Sequence, residues 1–195
     1  THWGVIWDGG LSPERTAVCP EYKAQRPPMP EKLAAQRPLI EEYLTRARIA
    51  WERRASEEAD DLIASLVRLA GDMTEILVVT SDKDFFQLVD DRVNIILPSK
   101  ITERMGPLQV REKMGVPPTA VVDFLALTGD AVDNIAGVPG VGPKTAAAWI
   151  AEWGGWEGIR DHADRFKPAW REKIEANRAQ IETNRELIRL KDDRL

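Results

Sequence analysis

The chain has 195 residues, enough for one domain or for one domain with a small appendage. Apolar and charged residues are spread along it at ordinary levels, which excludes a disordered chain, and no window approaches the ~18 consecutive apolar residues of a membrane span. The formal net charge of −5 argues at first sight against a nucleic-acid partner, but many of the acids lie in short runs that bound cations would neutralise, so net charge decides little.

The opening run Trp3-Gly4-Val5-Ile6-Trp7 is apolar and closes on Asp8-Gly9-Gly10, the pattern of a buried strand ending in an acid. A polar, Pro-rich stretch from Ser12 to Pro30 follows, with cations outnumbering acids between Glu14 and Arg54. It contains Cys19, the single cysteine, which has no intrachain disulfide partner and reads as a spectator thiol of a cytoplasmic protein. From Pro30 the spacing of Leu33, Ile40, Leu44 and Ala47 predicts a helix kinked near Pro38. Ser56 is the expected N-cap of a further helix running to about Leu69, with Glu57 and Glu58 in its first turn.

The β-branched run from Glu75 to Thr80 is the clearest strand, with Ser81-Asp82-Lys83-Asp84 at its end, then a short helix through Phe85, Phe86 and Leu88. Val93 to Leu97 is another strand. After about Gly106 the pattern is helical only: 107–114, 119–128, 144–152, and one long helix from about Pro168 to Leu190. Strands alternating with helices imply a mostly parallel sheet flanked by helices, an α/β core over residues 1–106, with a helical section over 107–195. Trp149, Trp153, Trp156 and Trp170 fall near helix ends at core-like spacing, so packing is a better reading than base stacking.

Sites in such sheets gather at the C-terminal ends of strands. Asp8 and the pair Asp82/Asp84 sit there. Glu58 and Asp61 are one helical step apart with Asp60 beside them, and Asp130 and Asp133 repeat that spacing after an apolar helix. Converging acids without histidine or thiolate favour hard ions, Mg²⁺ or Mn²⁺. Two such ions could stabilise the attacking and leaving oxygens of a phosphodiester. The run Gly137-Val138-Pro139-Gly140-Val141-Gly142-Pro143-Lys144-Thr145 offers a tight turn, backbone N–H groups, a helix N-terminus and one ammonium. That suits a DNA phosphate and reads no base. Gly137, Val138, Gly140, Val141, Gly142, Lys144 and Thr145 are the candidate DNA-binding residues.

Together these segments resemble the 5′ nuclease superfamily, the 5′–3′ exonucleases and flap endonucleases. The stretches that carry the resemblance are Pro20-Glu21-Tyr22-Lys23-Ala24-Gln25-Arg26-Pro27-Pro28-Met29-Pro30, Glu58-Ala59-Asp60-Asp61, Thr80-Ser81-Asp82-Lys83-Asp84, Leu127-Thr128-Gly129-Asp130-Ala131-Val132-Asp133-Asn134 and the glycine-rich hairpin, in that order. The resemblance implies a PIN-like fold, an arch segment at about 12–50, and a helix–three-turn–helix motif at about 120–152. By motif position it makes Asp8, Glu58, Asp60, Asp61, Asp82, Asp84, Asp130 and Asp133 metal-binding acids. It also gives Tyr22, Lys23 and Arg26 contacts to the scissile phosphate, and it gives the hairpin a K⁺ ion held by backbone carbonyls.

The partner implied is DNA with a 5′ end, flap or junction, bound by a monomer. The family's first strand, with a further metal-binding Asp, has no counterpart in the residues shown. A DNA-junction-binding protein with compromised catalysis therefore stands as an alternative, and a PIN-type ribonuclease as another.

Overall fold

The computed structural model describes residues 2–71 and 75–195. By their contacts these fall into two compact units: the residues up to Leu66 together with Lys191–Leu195, and Val67–Leu190.

In the first unit, β1 (Gly4–Ile6) is followed by α1 (Pro13–Val18), α2 (Glu31–Arg46) and β2 (Ala50–Glu52). β1 pairs β2 in parallel, Gly4 opposite Ala50 and Ile6 opposite Glu52. Ser12 caps α1, its hydroxyl accepting from Arg15 N, and Pro13 supplies the preset φ of the first turn. The chain leaving β1 is clamped to the loop before the next helix: Gly9 N donates to Glu57 O at 2.9 Å and Ser56 N to Gly9 O at 3.1 Å. A Cβ at Gly9 would fall 1.7 Å from Arg54 O, so only glycine fits this approach. Ser56 does not cap a helix. It adopts a left-handed φ of 64°, and α3 (Ala59–Leu69) begins beyond it. The tight approach to Gly9 sets this loop's course, and that outweighs the N-cap preference of serine. α2 runs through Pro38, with Leu44 its buried residue.

The second unit holds a three-stranded sheet: β3 (Ile76–Val79) parallel to β4 (Val93–Ile96), and β4 antiparallel to β5 (Arg104–Met105). A 3-10 turn at Lys83–Leu88 joins β3 to β4, anchored by Phe85 and Phe86, both buried. Helices follow: α4 (Pro107–Met114) and α5 (Val121–Thr128), then a hairpin of β6 (Gly129–Asp130) and β7 (Ile135–Ala136), then α6 (Pro143–Trp153), α7 (Trp156–Asp161), α8 (Pro168–Ala176) and α9 (Arg178–Ile188).

α5 is apolar nearly all round and is accordingly the buried centre of this bundle. Its one acid, Asp123, accepts from Trp156 N at 2.8 Å and Arg185 Nε at 2.7 Å, tying α5 to α7 and α9. Asn184, buried in α9, donates to Ala126 O at 2.9 Å and Ala136 O at 2.8 Å, fixing β7 beside α5. The long C-terminal helix expected from the sequence is two helices. Asn177 leaves helical geometry (φ −103°, ψ 8°) and its side chain donates to Lys173 O at 2.8 Å, an asparagine helix stop. The tryptophans pack as expected: Trp156 is fully buried, and Trp149 meets Phe166 and Trp170 edge-on at 5.0 and 5.2 Å.

Candidate metal centre

In the second unit, the end of β3 and the β6–β7 hairpin bring three acids together. Asp82 Oδ1 accepts from Asp84 N at 3.0 Å, capping the 3-10 turn in which Asp84, Phe85 and Phe86 are all buried. α5 ends at Thr128 with Gly129 at φ 79°, so Asp130 and Asp133 lie in the hairpin that follows the helix. A Cβ at Gly129 would meet Gly137 N at 2.4 Å, and one at Gly137 would meet Thr128 O at 2.4 Å; this crossing requires both glycines. The hairpin turn, with Asp133 N donating to Asp130 O at 3.2 Å and Val132 N to Asp130 Oδ1 at 3.0 Å, folds the two carboxylates to the same side.

Asp84, Asp130 and Asp133 each offer one oxygen, and these lie within 4.8 Å of one another. The three residues are 7%, 6% and 6% exposed. Among the described residues Asp84 Oδ1 is buried and has no hydrogen-bond partner. Burial, then the charge of Asp82, pushes the Asp84 carboxyl up to about 8; Asp133 and Asp130 add to this and Lys83 opposes it. Lys83 donates to Asp130 Oδ2 at 2.6 Å. Burial works against its ammonium, yet Asp130 and the two flanking acids hold its pKa above the usual lysine value. The role of Lys83 was missed from sequence, although its place between two acids pointed to it. Three carboxylates, no histidine or thiolate, and an unmatched buried oxygen fit a hard divalent cation.

The first unit treats its acids differently. Glu58 and Asp61 are each 1% exposed, and cations already satisfy them. Arg15 grips Asp61 in a fork, NH1 to Oδ2 at 2.5 Å and NH2 to Oδ1 at 2.8 Å, and its NH1 lies 3.5 Å from Glu58 Oε1. Glu58 Oε1 accepts from Ser12 N at 3.2 Å; Oε2 accepts from Tyr22 OH at 3.1 Å and Lys23 Nζ at 2.5 Å. Asp61 Oδ1 also accepts from Lys191 N at 2.9 Å. Burial disfavours the Glu58 carboxylate, but Lys23 and Arg15 outweigh it and hold the group below its ordinary range. Lys23 is 5% exposed, lies 4.8 Å from the Tyr22 ring, and sits at a left-handed φ of 54°.

Asp8 is exposed beyond β1, its Oδ1 accepting from Gly10 N at 2.8 Å. Asp60 is half-buried in the first turn of α3, and Arg26 is exposed. Arg15 escaped the sequence reading because its main partner, Asp61, lies 46 residues away and no local spacing announces it.

The glycine-rich run joins β7 to α6. Val138 and Val141 are buried, Val138 N donates to Leu127 O at 2.8 Å, and Gly140 turns at φ 84°. Gly142 was expected to serve the turn as well. Its φ of −94° is open to any residue and nothing lies within 4 Å of a Cβ built there, because it occupies the extended N-cap position of α6. Lys144 is exposed and Thr145 half-buried in the first turn of that helix. No helix among the described residues is long and apolar enough to cross a membrane.

Residues 1–115 match the family described as 5′–3′ exonuclease, N-terminal resolvase-like domain, and residues 116–194 match its C-terminal SAM fold. The thermostable DNA polymerase I of Thermus filiformis is 38% identical over 191 residues, and DNA polymerase I of Mycobacterium tuberculosis H37Rv is 40% identical over 197. These alignments take in 97% and 99% of this chain but only 23% and 22% of the relatives, so the chain spans less than a quarter of their length. Among solved structures, the T5 5′-exonuclease with bound zinc superposes with TM-score 0.79 at 24% identity, covering 94% of this chain and 73% of that one. The catalytic core of Rad2 in complex with a DNA substrate gives 0.61 at 17%, covering 98% and 67%. At these identities the likeness is one of fold.

Proposed function

Since the chain belongs to the 5′–3′ exonuclease family, we propose that it is a structure-specific nuclease that hydrolyses DNA phosphodiesters at 5′ ends or 5′ flaps with the aid of Mg²⁺ or Mn²⁺. The observation that carries this reading is the buried trio Asp84, Asp130 and Asp133, with the Asp84 oxygen left unmatched. Such a cluster is costly without a cation, since like charges out of water repel strongly. These three acids would hold the ion, with Asp82 adding to the local negative potential. A divalent ion there would supply Lewis-acid stabilisation of phosphoryl oxygens and ease deprotonation of water.

The chain's own groups do the rest. Lys83 fixes the Asp130 carboxylate. The N-terminus of α6, with the Lys144 ammonium and the backbone N–H groups of Gly140, Gly142, Lys144 and Thr145, would seat a duplex phosphate without reading sequence. Tyr22, Lys23 and Arg26 would meet the phosphate being cut. For Lys23 that means exchanging Glu58 for the phosphate, two anions competing for one ammonium. Asp8, Glu58, Asp60, Asp61 and Asp82 complete the proposed set of metal-binding acids. A K⁺ ion at the hairpin carbonyls belongs to the same proposal, on carbonyls other than that of Pro139, which accepts from Lys173.

A gel assay on a 5′-labelled flap duplex tests the proposal. Short 5′ products should form with Mg²⁺ or Mn²⁺, vanish in EDTA, and vanish for Asp84→Asn and Asp133→Asn. A metal-loaded preparation that binds the flap and leaves it whole would favour a second reading, a junction-binding protein without catalysis. The observation behind that reading is that every carboxylate oxygen of Glu58 and Asp61 already has a protein partner.

A further inference from the structure

Lys173 lies on α8, outside every motif named above, yet its ammonium rests against the tip of the hairpin. Nζ donates to the Pro139 carbonyl at 2.9 Å and lies 4.9 Å from the centre of the Trp170 ring. A Cβ built at Gly140 would come within 3.0 Å of it. Trp170, one helical step earlier on α8, is itself held edge-on against buried Trp149 of α6 at 5.2 Å. Two sides of the ammonium are thus fixed, one by a carbonyl and one by an aromatic face, and its third donor is left for another acceptor. Among the described residues no carboxylate pairs with it.

A lysine normally surrenders considerable rotamer freedom when it binds an anion; this one is ordered beforehand. It stands beside Gly140, two residues before the α6 N-cap, where backbone N–H groups and Lys144 already favour negative charge.

We propose that Lys173 is a DNA-backbone contact, a prefixed cation that α8 adds to the hairpin for a duplex phosphate. The inference rests on the reading of the hairpin as a duplex-binding element. A structural strap, which merely ties α8 to the hairpin, would require the same hydrogen bond but would not make affinity depend on salt through this residue. Losing one phosphate contact lowers the slope of log K against log salt concentration by about 0.9, so affinity changes about 3.5-fold less over a fourfold range of salt.

The test is fluorescence anisotropy of a labelled duplex without divalent ions, from 50 to 200 mM KCl, for the full chain and its variants. Lys173→Gln and Lys173→Met should bind more weakly with the slope reduced by about one, equally on two unrelated sequences. Lys173→Arg should keep the slope, as should Lys100→Gln, a cation paired with Glu103 at 3.0 Å. In the unaltered chain, duplex should shield Lys173 from acetylation, a readout that needs no variant to fold. Neutral variants with lower melting temperature but unchanged slope, or acetylation of Lys173 indifferent to DNA, would overturn the proposal and leave a strap. If the unaltered chain does not bind duplex, the hairpin reading itself falls and this inference falls with it.

Discussion

Asp84 and Arg15 show how two buried charges of opposite sign are managed in different ways. Asp84 has no cation of its own, and burial raises its pKa to about 8. Replacing it with asparagine removes a repulsion, so the metal-free Asp84→Asn variant should melt no lower than the unaltered chain. What it should lose is the stabilisation by Mn²⁺, read as a rise in melting temperature, which for an ion present at a hundred times its dissociation constant amounts to about 2.7 kcal/mol of free energy. Differential scanning fluorimetry with and without Mn²⁺ reads both effects; an undiminished rise in the variant would remove Asp84 from the ion's ligands. Arg15 is the opposite case, a cation whose loss leaves the buried Asp61 carboxylate with the neutral donor Lys191 N and Glu58 with Lys23 as its cation. Arg15→Met should cost about 3–5 kcal/mol in urea unfolding, the price of breaking a buried pair by removing one partner. The sequence made the acids visible as a class, since their types and spacing are local. It could not distinguish those already neutralised, Glu58 and Asp61, from Asp84 with its unmatched oxygen, because the neutralising groups arrive from remote positions.

At the scale of elements, the longer pieces were legible and the shortest were not. β3 and β4 announce themselves by β-branched runs, α5 by its continuous apolar run and α6 by apolar periodicity. β2, β5, β6 and β7 have two or three residues each, too few for alternation to register. The break at Asn177 carries neither proline nor glycine, so the periodicity of α8 and α9 read as one helix. The hairpin before α6 separates two uses of glycine that the sequence alone presents as one. Gly137 is demanded by backbone, with a Cβ landing 2.3 Å from Thr128 C, so Gly137→Ala should destabilise by about 3 kcal/mol and detach the β6–β7 ladder. Gly142 is demanded by nothing in the protein. Gly142→Ser, which supplies a good N-cap, should leave the melting temperature unchanged or slightly higher. If a phosphate approaches the backbone there, the same change should weaken duplex binding several-fold in an anisotropy titration. Unchanged affinity would move the phosphate away from the α6 N-terminus.

For the whole molecule, the last five residues matter more than their number suggests, because they return to the first unit. Lys191 N donates to Asp61 Oδ1 and Arg194 N to Ser65 Oγ at 2.9 Å, while Arg54 NH1 donates to Arg194 O at 2.6 Å. Glu14 on α1 accepts from Arg194 and Lys191, which lower its carboxyl to about 2 against an ordinary 4.5. A depressed folded value means the stabilisation is fully present above pH about 4.5 and is lost as pH falls through about 2. The stability difference between the unaltered chain and Glu14→Gln should accordingly be constant near neutrality and close over that acid window. It should stay within about 1 kcal/mol, because Glu14 is half in solvent and its pairs are screened. Removing Lys191–Leu195 altogether is the stronger perturbation. It deletes the backbone donors to Asp61 and Ser65 as well as the pairs to Glu14, leaving a buried carboxylate one hydrogen bond short. Hydrogen exchange should then speed up at amides of the first unit, especially around Arg15 and the start of α3, while the core of α5 keeps its protection. Uniform acceleration across both units would instead show that the chain opens as one cooperative body, with the C-terminal segment stabilising all of it.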